Sequence, residues 1–307
     1  MTSIEIRGER PGDEEAINEV NCRAFRHADE GQIVDDMRRV YPLYDRRFSV
    51  TAWNQEEMVG HALFTPVRQR LMGTTMWSLA VGPVAVVPEF QRQGIGGQLL
   101  AYGHRLGQRE GYGFAFLLGH SSYYPRYGYQ TQTHGFCKVA IDIEQLPEST
   151  VALDSRPVQP TDLFWLTERL KAELADVDFG WMWGATMGEW RLGGIDSLMW
   201  RDEAGRRVAY TMRAARQREK LVMLLAEDPE QARQVIYTLR PSALEHHPSG
   251  WLAQHALDPA WATVSAEASE AAMIYTLQKG VLDEYLAAVE KGRPIGCVNW
   301  PLPFVAH

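Results

Sequence analysis

The fold of this chain is decided by the stretch Val84-Ala85-Val86-Val87-Pro88-Glu89-Phe90-Gln91-Arg92-Gln93-Gly94-Ile95-Gly96-Gly97-Gln98-Leu99-Leu100. It predicts a buried strand, a turn opened by Pro88, a basic glycine-rich loop and the start of an amphipathic helix. Gly94, Gly96 and Gly97 lack a Cβ, so they let the backbone approach a ligand closely. Unpaired amides at a helix start, the helix dipole and the charge of Arg92 together predict a seat for a diphosphate.

Two other phosphate-binding motifs are excluded by the residues around these glycines. A P-loop would continue with Gly-Lys-Ser or Gly-Lys-Thr, which this chain lacks. A dinucleotide fingerprint needs glycine where Leu99 stands, and an acidic residue after a second strand. Taken alone, the stretch also fits a glycine-rich turn between a strand and a helix that binds nothing.

The order Gln91-Arg92-Gln93-Gly94-Ile95-Gly96 after a valine-rich strand resembles the GNAT superfamily of acetyl-CoA-dependent N-acetyltransferases. The resemblance implies a mixed α/β fold of the GNAT type, with acetyl-CoA as co-substrate and no metal. It places the cofactor on backbone and side chains of the strand and the loop. These are Val84, Ala85, Val86, Gln91, Arg92, Gln93, Gly94, Ile95, Gly96 and Gly97.

A second motif follows a short apolar strand predicted at residues 114–119. It reads Tyr123-Tyr124-Pro125-Arg126-Tyr127-Gly128-Tyr129. GNAT enzymes carry a tyrosine four residues before a Gly-aromatic pair, in a short helix, and Tyr124 fits that spacing. The doubled tyrosine resembles the YhbS-type branch, whose signature is Tyr-Tyr-x-Arg-Phe-Gly-Phe. Tyr127 and Tyr129 depart from it, since phenylalanine is usual at both positions. Ser121 or Ser122 is expected to cap the short helix.

Acetyl transfer to an amine sets three tasks: the amine loses a proton, the oxyanion needs donors and the thiolate needs a proton. The resemblance implies that backbone amides at residues 84–86 hold the acetyl carbonyl, and a bulge at Gly82-Pro83 would free them. It makes Tyr124 the candidate acid at the sulfur. A tyrosine that only packs is the alternative.

The general base is less defined. Many GNAT enzymes carry a glutamate on the central strand, but residues 79–87 contain no acid. His120 follows the neighbouring strand, and histidine is the residue type that most often serves as a general base, so it is the candidate base; a purely local hydrogen-bonding role stays open. The alternatives are His27, Asp35 and Asp36 on the expected acceptor side, and the terminal carboxylate of His307.

Composition limits the classes of binding partner and indicates the cellular compartment. The 307 residues carry a net charge of −8, so bulk charge does not favour nucleic acid or an anionic membrane. No stretch is long and apolar enough to span a bilayer. Cys22, Cys137 and Cys297 lack metal-ligand spacing, which predicts no metal site and a reducing cytoplasm. Homo-oligomerisation stays open.

The length suits two domains. We predict a catalytic acetyl-CoA-binding domain at residues 1–150, closed by a strand at 135–141, and a second α/β domain at residues 160–307. The second half repeats the order strand, strand, strand, helix, without the glycine-rich loop; Glu227 and Asp228 would repel a diphosphate. It resembles the degenerate second GNAT repeat of tandem bacterial acetyltransferases. Its eight tryptophans are expected to fill a core rather than form a ligand box.

The sequence therefore predicts an N-acetyltransferase that moves an acetyl group to a primary amine of a small molecule or peptide. Transfer would be direct, in a ternary complex, and needs no nucleophilic cysteine. The alternative is a catalytically silent acyl-CoA-binding module with a regulatory role.

Overall fold

The structure, a computed structural model, describes residues 4–25, 29–190, 196–214, 217–293 and 296–297. Two mixed β-sheets with helices packed on them make up the fold, which confirms the predicted mixed α/β class. No helix in these ranges is sufficiently long and apolar to cross a membrane. The first half contains β1 (Ile4–Gly8), α1 (Glu14–Phe25), α2 (Asp29–Val40), β2 (Ser49–Asn54), β3 (Glu57–Leu71), β4 (Thr74–Val86), α3 (Ile95–Arg109), β5 (Phe114–Leu118) and β6 (His134–Ile141).

The second half begins with β7, which lies between the two predicted domains. Its elements are β7 (Asp154–Pro157), α4 (Leu163–Glu173), β8 (Phe179–Met182), α5 (Met187–Trp190), β9 (Asp196–Arg201), β10 (Arg207–Ala214), β11 (Gln217–Ala226), α6 (Pro229–Leu239), β12 (Ala243–Leu244), α7 (Trp251–His255), β13 (Ala262–Ala268), β14 (Ala272–Thr276), α8 (Asp283–Glu290) and β15 (Gly296–Cys297).

The first sheet has the strand order β1-β2-β3-β4-β5-β14, with β8 added on β3. β1 to β4 are antiparallel neighbours, and β4 pairs in parallel with β5 through the crossover helix α3. Ile95, Leu99 and Leu106 are buried on one face of α3, as their spacing predicts. This arrangement brings the end of β4 and the start of α3 together at one edge of the sheet.

The two sheets exchange strands. β6 lies between β12 and β13 in the second sheet, and β14, from the second half, pairs with β5 in the first sheet. The expectation that residues 135–141 close the first domain is therefore wrong. Alternating burial along β6 identifies a strand with one buried face, but it does not say which sheet receives that strand. The predicted boundary between residues 150 and 160 is crossed by both exchanged strands.

The second sheet, in the order β13-β6-β12-β11-β10-β9-β7, repeats part of the first. β9, β10 and β11 are antiparallel neighbours, and β11 pairs in parallel with β12 through α6. One apolar cluster contains Phe116 of the first sheet, Met223 of the second and Trp190 between them, so the halves share a core. Five tryptophans of the second half are buried, in line with a packing role: Trp181, Trp183, Trp190, Trp200 and Trp261.

Candidate active site

The first feature of the site is a gap between β4 and β5. These strands pair only at Leu79 with Ala115 and at Ala80 with Phe116, and beyond this point no pairing continues. On its other edge, β4 stays on β3 as far as Val86. The register shifts where Gly82 and Pro83 stand, so the predicted disruption of the ladder is found there.

Along the gap, one edge of β4 has no neighbouring strand among the described residues. The Val87 amide donates to the Val59 carbonyl of β3 over 3.1 Å. Because backbone groups alternate between the two edges of a strand, the amides of Val84 and Val86 point to the opposite edge, toward the gap. The Val86 carbonyl accepts a 2.9 Å hydrogen bond from Nε2 of Gln91, which fits this orientation.

The loop after β4 presents the start of α3 to solvent. Gly94 adopts φ +80°, a left-handed conformation suited to glycine, and its position before Ile95 carries no side-chain cap. The first-turn amides of α3 therefore lack a side-chain acceptor within the described chain. Residues 91–94 are exposed. Gln93 donates to the Glu89 carbonyl over 3.2 Å, so it shapes the loop together with Gln91.

Gly96 and Gly97 have a packing role that the sequence did not predict, because tyrosine side chains occupy the space beside them. A Cβ on residue 96 would lie 2.1 Å from the Tyr123 hydroxyl oxygen, and a Cβ on residue 97 would lie 2.4 Å from a ring carbon of Tyr127. The two glycines thus allow the tyrosine motif to pack directly on the first turn of α3. Val86 is the next neighbour of residue 96, so the Tyr123 hydroxyl lies at the β4 side of the gap.

Tyr124 lies at the other side of the gap. Its ring packs on Gly119, directly after β5, where a Cβ would come within 2.4 Å of it. Tyr123 and Tyr129 each hold it by an edge-to-face contact. Burial raises the pKa of the Tyr124 hydroxyl to about 12, and no described residue forms a hydrogen bond to that hydroxyl. The adjacent tyrosines therefore lie on the two sides of the gap, Tyr123 near β4 and Tyr124 near the end of β5.

The turn that carries these tyrosines is a single 3-10 turn, Tyr124–Tyr127. Neither Ser121 nor Ser122 caps it, so that expectation is wrong. The Tyr123 amide instead donates to the His120 carbonyl over 2.9 Å, which starts the turn through the backbone.

The candidate bases differ in their surroundings. The His120 side chain is exposed and no described group hydrogen-bonds to it. Asp35 pairs with Arg38 and Asn18, and Asp36 pairs with Arg39 and Gln32, so both carboxylates stabilise the surface of α2. His27 and His307 lie outside the described residues.

Sequence reasoning missed a buried histidine behind the gap. His61 is the direct partner of Ala85 across β3 and β4, and it is completely buried. Asn21 Nδ2 lies 3.0 Å from its Nδ1, and Ser49 Oγ lies 3.0 Å from its Nε2. Burial lowers the pKa of His61 to about 3, so the ring is neutral and its nitrogens are occupied. His61 therefore supports β3 rather than accepting a proton. In the sequence, its position as a polar residue within the apolar stretch 58–64 could have indicated this buried role.

The corresponding place in the second half is closed. α6 also follows a buried strand, but its N-cap is Asp228, whose carboxylate accepts from the amides of Glu230 and Gln231 at 2.9 and 3.0 Å. This helix start already holds an anion. The negative charge of this carboxylate would repel a diphosphate.

Comparison with known proteins gives a consistent result. The model of the acetyltransferase (GNAT) domain matches residues 5–132. The uncharacterized N-acetyltransferase YjhQ of Escherichia coli strain K12 is 33% identical over 118 residues, which cover 37% of this chain and 62% of YjhQ. The uncharacterized N-acetyltransferase YhbS of the same strain is 28% identical over 130 residues, covering 42% of this chain and 75% of YhbS.

One solved structure shows the fold over most of the chain. A GCN5-related N-acetyltransferase from Kribbella flavida superposes with a TM-score of 0.69 at 15% identity, covering 91% of this chain and 72% of the other. This likeness extends through both sheets, whereas the family model ends before β6. Residues 5–132 of this chain therefore form an acetyltransferase domain of the GNAT family.

Proposed function

We propose that the protein is an N-acetyltransferase that moves the acetyl group of acetyl-CoA directly to a primary amine of a small molecule or peptide. The observation that carries the proposal is the gap between β4 and β5, with the uncapped start of α3 at one end and the Tyr124 hydroxyl at the other. Arg92, the one charged side chain among residues 91–97, suits an anionic cofactor. Its site of action would be the cytoplasm, which the three scattered cysteines of the sequence favour.

Acetyl-CoA would bind along this gap. Its diphosphate would lie on the first-turn amides of α3, beside residues 91–97, where the helix dipole favours negative charge. The acetyl carbonyl would accept hydrogen bonds from the amides of Val84 and Val86, which point into the gap. Residues 1–150 would thus supply the cofactor site, and residues 160–307 would carry none because Asp228 caps α6.

The chemistry needs a neutral amine, an oxyanion site and a proton for the leaving thiolate. The amine nitrogen attacks the thioester carbonyl, and the amides of Val84 and Val86 stabilise the negative oxygen that forms. When the carbon–sulfur bond breaks, the thiolate receives the proton of Tyr124. A phenol with a pKa of about 12 keeps this proton at neutral pH until the thiolate forms. His120, through water, is the proposed acceptor of the amine proton.

A catalytically silent acyl-CoA-binding module is the second candidate. Its support is the absence of a carboxylate on β4 at residues 79–86 and the exposed position of His120, which lacks a partner that would orient it. Such a module would keep the diphosphate seat and bind acetyl-CoA without transferring the acetyl group.

The experiment follows thioester cleavage with a panel of primary amines that includes an aminoglycoside, a polyamine, amino acids and a peptide N-terminus. We expect cleavage with at least one class, and Tyr124→Phe should lower turnover by about a hundredfold to ten-thousandfold with acetyl-CoA affinity unchanged. Tyr102→Phe, on α3 away from the gap, is the matched control. His120→Ala should remove the acidic limb of the pH–rate profile. Tight acetyl-CoA binding without cleavage for any amine would favour the silent module.

A further inference from the structure

The second sheet contains a gap that matches the gap in the first sheet. β11 and β12 are parallel strands that pair at Lys220 with Ala243 and at Leu221 with Leu244, and the described ladder between them stops there. β11 nevertheless stays on β10 as far as Ala226. In the first sheet, β4 and β5 likewise pair over a short stretch while β4 continues on β3. Beyond Leu221, β11 therefore has one edge that β12 no longer covers.

One backbone amide of β11 occupies the position that the Val84 amide has in β4. The Glu227 amide donates to the Val208 carbonyl of β10 over 2.8 Å, just as the Val87 amide donates to β3. Leu224 precedes Glu227 by the same number of residues as Val84 precedes Val87. Because backbone groups alternate between the edges of a strand, the Leu224 amide points away from β10, into the second gap. Leu224 is completely buried, so its amide needs an acceptor.

The acceptor for this amide is a side chain rather than a strand. The Leu224 amide donates to Nε2 of His246 over 2.9 Å, and His246 is 1% exposed. Since Nε2 accepts, it carries no proton, and Nδ1 carries the proton of the ring. Nδ1 donates to Oε1 of Glu173 over 3.0 Å. The imidazole is therefore held by one donor and one acceptor.

Glu173 connects this imidazole to two helices. It belongs to α4, and its Oε2 accepts from the Leu252 amide at the start of α7 over 2.9 Å. Gly250, the residue before α7, leaves room for the carboxylate, because a Cβ there would lie 2.2 Å from Oε1 of Glu173. α4, α7 and β11 thus all contribute to the position of His246 in the second gap.

We propose that His246 is an internal ligand that occupies, in the second half, the position that the acetyl carbonyl would take in the first. Asp228 closes the diphosphate end of the second gap, and His246 closes its acyl end. The comparison with the acetyl carbonyl rests on the proposed function, whereas the occupation of the Leu224 amide by His246 does not. Without this side chain, the site should bind a small planar molecule that has one acceptor and one donor, as neutral imidazole has.

The test removes the side chain and supplies the ring from solution. His246→Gly should melt at a lower temperature than the wild-type protein. Imidazole at about pH 8, where its ring is neutral, should raise that melting temperature saturably, with a dissociation constant on the order of 1–10 mM. Pyrrole has a ring of the same size without the acceptor nitrogen, so it should have a much smaller effect. The wild-type protein and His255→Gly, which removes an exposed histidine of α7, should show no saturable response.

Acetamide tests the comparison with the acetyl carbonyl. Its carbonyl can accept from the Leu224 amide and its amino group can donate to Glu173, so it should also stabilise His246→Gly. If imidazole stabilised this variant and acetamide did not, the site would hold a ring but would not match a carbonyl position, and that comparison would be wrong.

A second measurement needs no variant. In the wild-type protein, NMR should detect a scalar coupling through the N–H···N hydrogen bond from the Leu224 amide to Nε2 of His246, with the ring proton on Nδ1. A proton on Nε2 would overturn the assignment, and so would a folded His246→Gly variant that imidazole and pyrrole stabilise equally. A wild-type protein that bound no acetyl-CoA would refute the proposed function and leave the occupation of the Leu224 amide unaffected.

Discussion

Gly96→Ala tests how closely the tyrosine motif packs on the first turn of α3. The new Cβ would lie 2.1 Å from the Tyr123 hydroxyl oxygen, whereas ordinary contacts begin at 3.4 Å, so Tyr123 must move by about 1.3 Å. This movement separates Tyr123 from Tyr127, which costs about 0.5–1.5 kcal/mol for a lost hydrogen bond. Alanine in place of glycine returns up to about 1 kcal/mol through helix propensity.

The two effects oppose each other in the free energy of unfolding. We therefore expect Gly96→Ala to change stability by less than about 1 kcal/mol, measured by urea denaturation. Acetyl-CoA affinity should nevertheless fall clearly, because the displaced Tyr123 ring lies between Val86 and the start of α3. Calorimetric titration measures this affinity directly.

A double-mutant cycle isolates the contact. In a Tyr123→Ala background the clash is absent, so Gly96→Ala should stabilise the protein and should not weaken acetyl-CoA binding further. If Gly96→Ala lowered the affinity for acetyl-CoA by the same factor in the wild-type and in the Tyr123→Ala background, the packing argument would be refuted.

Two further predictions concern stability. Burial lowers the pKa of His61 and His134 to about 3, below their usual 6.5, so between these values the unfolded chain binds more protons than the folded one. The free energy of unfolding should therefore fall as the pH falls from 6.5, by up to about 1.4 kcal/mol per pH unit for each histidine. His61→Asn should make this dependence on pH shallower. An unchanged slope in that variant would contradict the lowered pKa of His61. Asp228→Ala removes the N-cap of α6 and should lower the free energy of unfolding by about 1 kcal/mol while leaving the affinity for acetyl-CoA unchanged. A loss of affinity would instead reveal a ligand at the start of α6.

The features that could be predicted from the sequence are those encoded by neighbouring residues. Asp228 before Pro229 predicts the start of α6, and the apolar spacing from Ile95 predicts the buried face of α3. The glycine-rich loop and Tyr124 were found because their motifs are compact. In each case the physical cause lies within a few residues of the signal.

The features that escaped prediction depend on distant partners. The alternating burial of β6 is the same whichever sheet it joins, so its transfer to the second sheet could not be inferred from it. Gly96 was interpreted as an approach to the ligand, because nothing near it in the sequence indicates that Tyr123 occupies the space. The polar support behind residue 85 needs Asn21, Ser49 and His61, which three separate elements bring together.

We propose that this chain binds acetyl-CoA at the start of α3 and at no second site. The proposal can be tested by calorimetric titration of the wild-type protein and of Arg92→Glu with acetyl-CoA. We expect one acetyl-CoA per chain, and an affinity at least about tenfold weaker in Arg92→Glu, whose exposed side chain can be reversed in charge without disturbing the core. Two equivalent sites per chain, or equal affinity in both proteins, would contradict it.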